Sequence, residues 1–362
     1  NKRRALVGLP IRMGGLGISR AKDVAASAFL GSIVDTKDLQ TTINNREDMF
    51  NVDVERMRNF WHSTHQDVDL DVIDTLLLDK EKTQHKLTQL VQENILQRLK
   101  QDTESTFRAT IHGCTMERSS KWTDLFPNTK QGPYMPADAF SAVLKYRVGL
   151  PIFNKKAPCF HCSGEVDTRG YHLATCPGIH SRHHNNLRDL IHEAAARAHL
   201  QPSKEVPHLL SANRDRERPA DVLIPNFIGG RTLCIDVTVV DTFGNIGHAS
   251  QEAGYNAERA AKRKMDQYAE ALKQEDMVFL PFAVESLGGL SASCCKVLDF
   301  LGKNLADVDK VSLESAKRKL HDSLVFCWMR DLGTSLANHA MQMNRELGMD
   351  GLVLSNQSQQ YL

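Results

Sequence analysis

The 362-residue sequence is poor in aromatics (6%), nearly neutral at a net charge of +1, and free of any apolar run near the roughly 20 residues that span a bilayer. The last absence excludes a helical membrane span, and no membrane partner is expected. No charged-then-apolar leader opens the chain, which argues against secretion. Asn1 stands where an initiator Met would, so the chain is expected to be a piece of a longer product with its first domain cut. Near-neutrality argues against a polyanion binder whose whole surface is basic; a nucleic-acid surface needs locally sorted charge. Between Cys159 and Tyr268, Lys/Arg and Asp/Glu balance at 13 each, so that stretch has no overall excess. Internal repeats and low-complexity segments are also lacking. What is present, 41% hydrophobic and 25% charged residues, is the composition of a globular chain of two or three domains.

Glycines at Gly14, Gly15 and Gly17 predict a loop or short strand after the opening residues. From Ala21 the small residues Val24, Ala28 and Gly31, with Ala25, Phe29 and Ser32 alongside, predict a closely packing helix face. Residues 36 to 72 read as helices with loops. Leu87, Leu90, Val91, Ile95 and Leu99 recur at three or four residues and predict an amphipathic helix within 76–99. The chain turns around Trp122 to Pro127, and a Gly132-Pro133 link leads to a helix that starts near Pro136 and stops at Gly149. Helix is expected over 187–198. Strands are expected over 221–224 and 233–240, joined by a hairpin turn through Pro225 to Gly230. A helix over 255–274, a strand over 277–284 and helices over 291–301 and 313–341 complete the reading.

Of the eight cysteines, Cys114, Cys234, Cys294, Cys295 and Cys327 lie in apolar or helical settings. Cys159-x2-Cys162-x9-His172-x3-Cys176 differs: it gathers three thiols and an imidazole within eighteen residues. Zinc takes four tetrahedral N/S ligands, and a Cys-x2-Cys bend supplies two sulfurs from one turn. With all four places filled, such a site is structural. His161 is a rival fourth ligand, but it lies between two cysteines that are already ligands, which makes its geometry poor.

Downstream, Asp221 and Asp236 fall on the two expected hairpin strands, where they would project together at one sheet edge. Converging carboxylates among apolar residues need a cation, and Mg²⁺ accepts one or two carboxylates plus water and phosphate oxygens. Lys264 and Tyr268 lie one turn apart on the next helix, whereas Lys262 points elsewhere. An ammonium beside a metal-bound water suits phosphodiester hydrolysis. Singly, an Asp in a strand usually marks an edge and a Lys-rich helix face is usually solvated; the combination is far more specific.

These residues together resemble the C-terminal part of non-LTR retrotransposon polyproteins with a restriction-like endonuclease of the PD-(D/E)XK superfamily. Cys159, Cys162, His172 and Cys176 match the CCHC knuckle, Asp221 and Asp236 the acidic pair, and Lys264 with Tyr268 the displaced Lys-x3-Tyr helix. The stretch from Leu9-Pro10 to Gly17 resembles the thumb region that follows the palm of such reverse transcriptases. Ala220 separates Pro219 from Asp221, Thr238 stands where the superfamily name expects lysine, and the knuckle spacing is slightly unusual. A displaced lysine is known in this branch, so Thr238 does not imply a dead enzyme. The paired-aspartate polymerase signature is missing from these residues, and the fragment is not expected to copy RNA.

The resemblance implies an α/β (α+β) fold, a mixed sheet flanked by helices, preceded by the knuckle and a mostly helical N-terminal region. It implies residues 1–45 as the end of the thumb-like region, 46–150 as a helical linker, 151–180 as the knuckle, 181–345 as the endonuclease and 346–362 as a polar tail. It implies structural Zn²⁺, catalytic Mg²⁺ on Asp221 and Asp236 with the Val237 carbonyl as a further ligand, Lys264 positioning water, and Tyr268 and Thr238 supporting the site. Glu193 or Glu205 is a candidate third carboxylate, although a helix-surface role suits either better. Arg182, His183 and Arg188 are candidates for phosphate contact. The implied activity is nicking of chromosomal target DNA in the nucleus to give a 3′-hydroxyl that primes reverse transcription of the element's RNA, with a homodimer allowed during integration. The competing reading is a nuclease-like module that grips nucleic acid without cutting it.

Overall fold

The computed structural model describes residues 2–44, 47–64, 71, 75–76, 82–125, 134–210, 214 and 217–347. The chain divides into two compact units, Asn1–Asp102 and Thr103–Leu362, so the division falls inside the stretch expected as a helical linker. The expected Gly132-Pro133 link and the polar tail from Gly348 onward lie outside the described residues, as do the ends of the turn at Pro127 and of the mixed stretch at Val72.

The first unit is helical: α1 (Lys2–Gly8), α2 (Ala21–Asp35), α3 (Lys37–Asn44), α4 (Glu47–Thr64) and α5 (Thr83–Lys100). The glycines after α1 form the expected loop. It folds back on α1, with the Leu16 and Ile18 N–H groups donating to the Val7 carbonyl. A Cβ on Gly15 would stand 2.0 Å from the Leu9 carbonyl oxygen, so only glycine fits there. In α5, Leu87, Val91, Ile95 and Leu99 are buried at four-residue spacing, as the periodicity predicts. The face expected on α2 is rotated: Ala26, Ser27, Leu30, Gly31, Ile33 and Val34 are buried, whereas Phe29 is exposed. The physical reason is polar. Ser27 accepts a hydrogen bond from the buried Trp61 indole of α4 (3.0 Å), a tertiary contact that apolar spacing cannot register.

The second unit is a mixed α/β structure. It opens with α6 (Ser105–Thr115) and α7 (Ala137–Arg147), the latter followed by Gly149 at φ 67, then the hairpin β1 (Ala157–Pro158) and β2 (Glu165–Val166) and the helix α8 (Pro177–Arg197). A four-stranded sheet follows in the order β3 (Ser203–Lys204), β4 (Val222–Ile228), β5 (Arg231–Val240) and β6 (Met277–Glu285). β3–β4 and β4–β5 are antiparallel; β5 and β6 are parallel, joined through the short α9 (Ile246–Ala249) and the long α10 (Tyr255–Gln274). α11 (Ala292–Asp309) and α12 (Leu313–Leu347) complete it.

Strand β5 is covered on both faces. Leu233, Ile235, Val237 and Val239 join the main core with Leu187 of α8, Leu298 of α11 and Trp328 of α12. Cys234 points the other way, into a cluster with Tyr268 and Leu272 of α10. Alternation along a strand therefore places Asp236 and Thr238 on the α10 side.

α10 has the expected limits, but other elements differ. The hairpin turn is only Gly229-Gly230, at φ +61 and +81, the two-residue primed turn that suits strand twist. β4 runs on to Ile228 through a bulge, where pairing shifts from Ile224↔Leu233 to Ile228↔Arg231. Pro225 lacks a ladder donor and Asn226 takes φ 55, which is why the stretch reads as a turn in sequence. α8 begins ten residues before the expected Leu187, because His183 occupies a core position between Ile179 and Leu187 and masks the apolar period.

Glu285, at the end of β6, is 1% exposed and accepts the Asn256 (3.0 Å) and Ala257 (3.2 Å) N–H groups at the start of α10. Burial pushes its carboxyl up to about 7, against the pull of those donors. The folded state therefore binds more protons than the unfolded chain between about pH 4.5 and 7, and stability falls as pH rises through that window. Glu285→Gln, which keeps the acceptor oxygen, is expected to remove on the order of 2–3 kcal/mol of that loss. Unfolding of both proteins at pH 5 and pH 8 tests this; parallel pH profiles would refute it.

Candidate functional site

The β1–β2 hairpin presents Cys159 and Cys162 from its loop, closed by the Cys159 N–H to the Gly164 carbonyl (2.9 Å). The His161 and Gly164 N–H groups donate to the Cys159 and Cys162 sulfurs at 3.4 and 3.3 Å. His172 comes from a single 3₁₀ turn, Tyr171–Ala174, and Cys176 is the residue immediately before α8. The four ligand atoms lie within 4.8 Å of one another. Cys176 Sγ is 3.6 Å from Cys159 Sγ and 3.7 Å from Cys162 Sγ, and Cys162 Sγ is 3.2 Å from His172 Nε2. A tetrahedral site with zinc–sulfur bonds of about 2.3 Å has sulfur–sulfur edges of about 3.8 Å, close to these separations.

Glycine shapes this pocket: a Cβ on Gly164 would stand 2.8 Å from the His172 ring. His161 stays outside the cluster, with its carbonyl against Gly178. Burial pushes the Cys176 thiol up to about 12, whereas the Gly164 N–H holds Cys162 below its ordinary value. Three sulfurs so close cannot all ionise without a cation. A closed Cys₃His set of this geometry can hold a structural Zn²⁺.

The carboxylates meet at the far end of the β4–β5 hairpin. Val222 pairs with Ile235, and the Asp221 N–H donates to the Ile235 carbonyl (2.8 Å), so Asp221 stands across from Asp236. Asp221 Oδ2 accepts the Val237 N–H (2.6 Å) and lies 3.0 Å from His184 Nε2 of α8. Asp236 is 5% exposed, and Lys264 Nζ lies 3.0 Å from each of its oxygens. Only Oδ1 is aligned as an acceptor; Oδ2 has no aligned donor among the described residues. Burial pushes the Asp236 carboxyl up to about 6; Lys264 opposes this and the Asp221 charge adds to it. The hydrogen bond to Asp221 lifts the His184 imidazole above its ordinary value, against burial. Lys264 also lies 5.7 Å from the ring centre of the buried Tyr268, with Arg214 at 5.4 Å from that ring. Thr238 is buried two residues along β5 from Asp236.

Asp221, Asp236, Lys264 and Tyr268 are thus brought together, and His184 joins them although sequence reasoning passed it over. Its signal was the pair His180 and His184, one helical turn apart, whose rings are 6.4 Å apart. The expected phosphate contacts fare differently. His183 is fully buried, bonded to Ser335 Oγ (3.0 Å) and set edge-on to Trp328, so it is a core residue. Arg188 is largely covered and already paired with Asp189 and Glu205. Arg182 is exposed, with its guanidinium on Ser335 Oγ at 2.6 Å. Glu205 pairs with Arg188 and its N–H donates to the Asp221 carbonyl (3.0 Å), which places it beside the site, whereas Glu193 lines a separate cleft with Arg197 and Lys319.

Neither a protein-family model nor a curated protein sequence matches this chain. Purified protein is expected to carry about one zinc per chain by metal analysis, lost in Cys176→Ala, and a chelator is expected to lower its unfolding temperature. Metal-free protein with unchanged stability would refute the zinc assignment.

Proposed function

We propose that this chain is the C-terminal part of a non-LTR retrotransposon polyprotein, and that its second unit is a metal-dependent DNA endonuclease of PD-(D/E)XK type. One observation carries the reading: carboxylates from two adjacent strands and an amine from the following helix gather at a single buried point. The order of antiparallel hairpin, helix and parallel strand agrees with it.

The donor set fits a hard dication. Asp236 Oδ2 is buried without an aligned donor, Asp221 supplies a second carboxylate, and oxygen ligands of this kind suit Mg²⁺. Asp221 and Asp236 would hold it. Bound there, Mg²⁺ lowers the pKa of water and stabilises charge on phosphate oxygens. Lys264, tethered by Asp236 and lying over Tyr268, orients the attacking water and offsets the charge that grows on the phosphate. His184 and the Val237 N–H hold the Asp221 carboxylate in place. Water adds to phosphorus as the P–O3′ bond breaks, which yields a 5′-phosphate and a 3′-hydroxyl. In this reading that hydroxyl primes reverse transcription of the element's RNA in the nucleus, and a homodimer would serve the second strand.

A second reading, a module that grips nucleic acid without cutting, draws on the ion pairs themselves. Lys264 and His184 each lie 3.0 Å from one of the two carboxylates, which offsets their charge.

A plasmid-nicking assay with Mg²⁺ separates the two. The intact protein is expected to nick, and Asp221→Ala, Asp236→Ala and Lys264→Ala to lose roughly 100-fold or more. The Mg²⁺ concentration needed for half-maximal nicking is expected to rise as pH drops below about 6, where Asp236 of the metal-free protein takes up a proton. No nicking by intact, zinc-loaded protein would favour the binding module; equal nicking by all four would refute these residue assignments.

A further inference from the structure

The cations of the second unit are not evenly distributed. Many of them are matched: Arg118 with Asp322, Arg188 with Glu205, Arg214 with Glu217, Lys317 with Asp299, and Lys264 with Asp236. Arg259, Lys262 and Arg263 differ. They follow one another at i, i+3 and i+4 along α10, which places them on one flank. All three are exposed, and no carboxylate pairs with any of them among the described residues. Their outward direction follows from the site itself, because Lys264, Tyr268 and Leu272 turn the opposite side of α10 toward the sheet.

This flank is one wall of a cleft of about 680 Å³, within the roughly 300–1,000 Å³ range of ligand-holding clefts. Val239 and Val240 of β5 also line it, and Thr175, the neighbour of the zinc ligand Cys176, lies on its border. Two acids line it as well. Asp241 is engaged on Oδ1 by the Phe243 N–H (3.0 Å) and the Ser286 hydroxyl (3.3 Å), whereas Asp266 is exposed. Cations therefore outnumber the acids, and one of the acids is already bonded. Among the described residues the lining contains no aromatic ring, so they offer no platform on which bases could stack. Lysine and arginine without stacking partners are suited to phosphate and not to base edges.

We infer that this cleft holds the phosphate backbone of one strand of duplex DNA, to one side of the phosphate to be cut. From Arg259 to Arg263 the helix rises about 6 Å, enough to span neighbouring phosphates. The inference rests on the nuclease reading for the identity of its ligand.

The test is binding, measured without added Mg²⁺, of a labelled random-sequence DNA duplex by fluorescence anisotropy across a salt series. The triple variant Arg259→Gln, Lys262→Gln, Arg263→Gln is expected to bind about 10-fold or more weakly, and its slope of log K against log salt to be shallower by about 2–3, near 0.9 for each lost phosphate contact. A control triple at exposed lysines of α11 and α12, Lys296→Gln, Lys303→Gln and Lys319→Gln, is expected to keep the wild-type slope. A wild-type slope in the first triple, an equal loss in the control, or no duplex binding by the wild type would overturn the inference. Because no turnover is involved, the two readings fail separately. Wild type that binds steeply but never nicks refutes cutting alone; wild type that nicks while the first triple binds unchanged refutes the cleft alone.

Discussion

A carboxylate enclosed between a strand and a helix must be answered by a positive charge, and the Asp236–Lys264 pair meets that requirement in the second unit. The pair fixes how α10 lies on the sheet. With Lys264 held at Asp236, the helix repeat carries Tyr268 and Leu272 onto Cys234 and Phe279. An earlier stretch of the same helix, Ala257, Ala260 and Ala261, packs close to Ala283. Small residues at that end let the helix approach closely, and larger ones at the other fill the space. One electrostatic contact and two apolar clusters thus agree on a single register, the kind of consistency between levels that specifies a fold.

The same constraint sets the electrostatics around it. Asp236 lies beside a second carboxylate, and burial already disfavours its charge, so the site is short of positive charge. Lys264 and His184 reach it from helices on different sides of the sheet. Asp221 accepts a backbone N–H from the neighbouring strand. Two chemically identical residues are therefore held in unlike surroundings, one bonded to a backbone N–H and an imidazole, the other largely desolvated against an ammonium.

Much of this site was legible in the sequence because its logic is local. The limits of α10, the i, i+4 relation of Lys264 to Tyr268 and the glycine pair that sets the hairpin all follow from short-range rules. The knuckle was legible for the same reason, since its four ligands lie within eighteen residues and only one tetrahedral grouping among them closes well. Reading failed where tertiary partners decide. Histidine is ambiguous by composition: His183 is a core residue on Ser335 and Trp328, and its neighbour His184 is at the carboxylates, yet only the direction of α8 tells them apart. Ser27 is buried in the first unit because an indole from another helix seeks an acceptor. Arg188 looks available until the carboxylates around it are seen. The bulge at Pro225 to Phe227 disguised the continuation of β4 as a turn.

Cys176 ends the knuckle and Pro177 begins α8, with no linker between them. Eight residues later the same helix delivers His184, a rise of about 12 Å along a rigid rod. The two centres are consequently parts of one lever: inserting or deleting a single residue in that stretch would swing the imidazole by about 100° around the axis and take it off Asp221. Drift in chain length is thereby forbidden between the fingers of the knuckle and the first two turns of the helix.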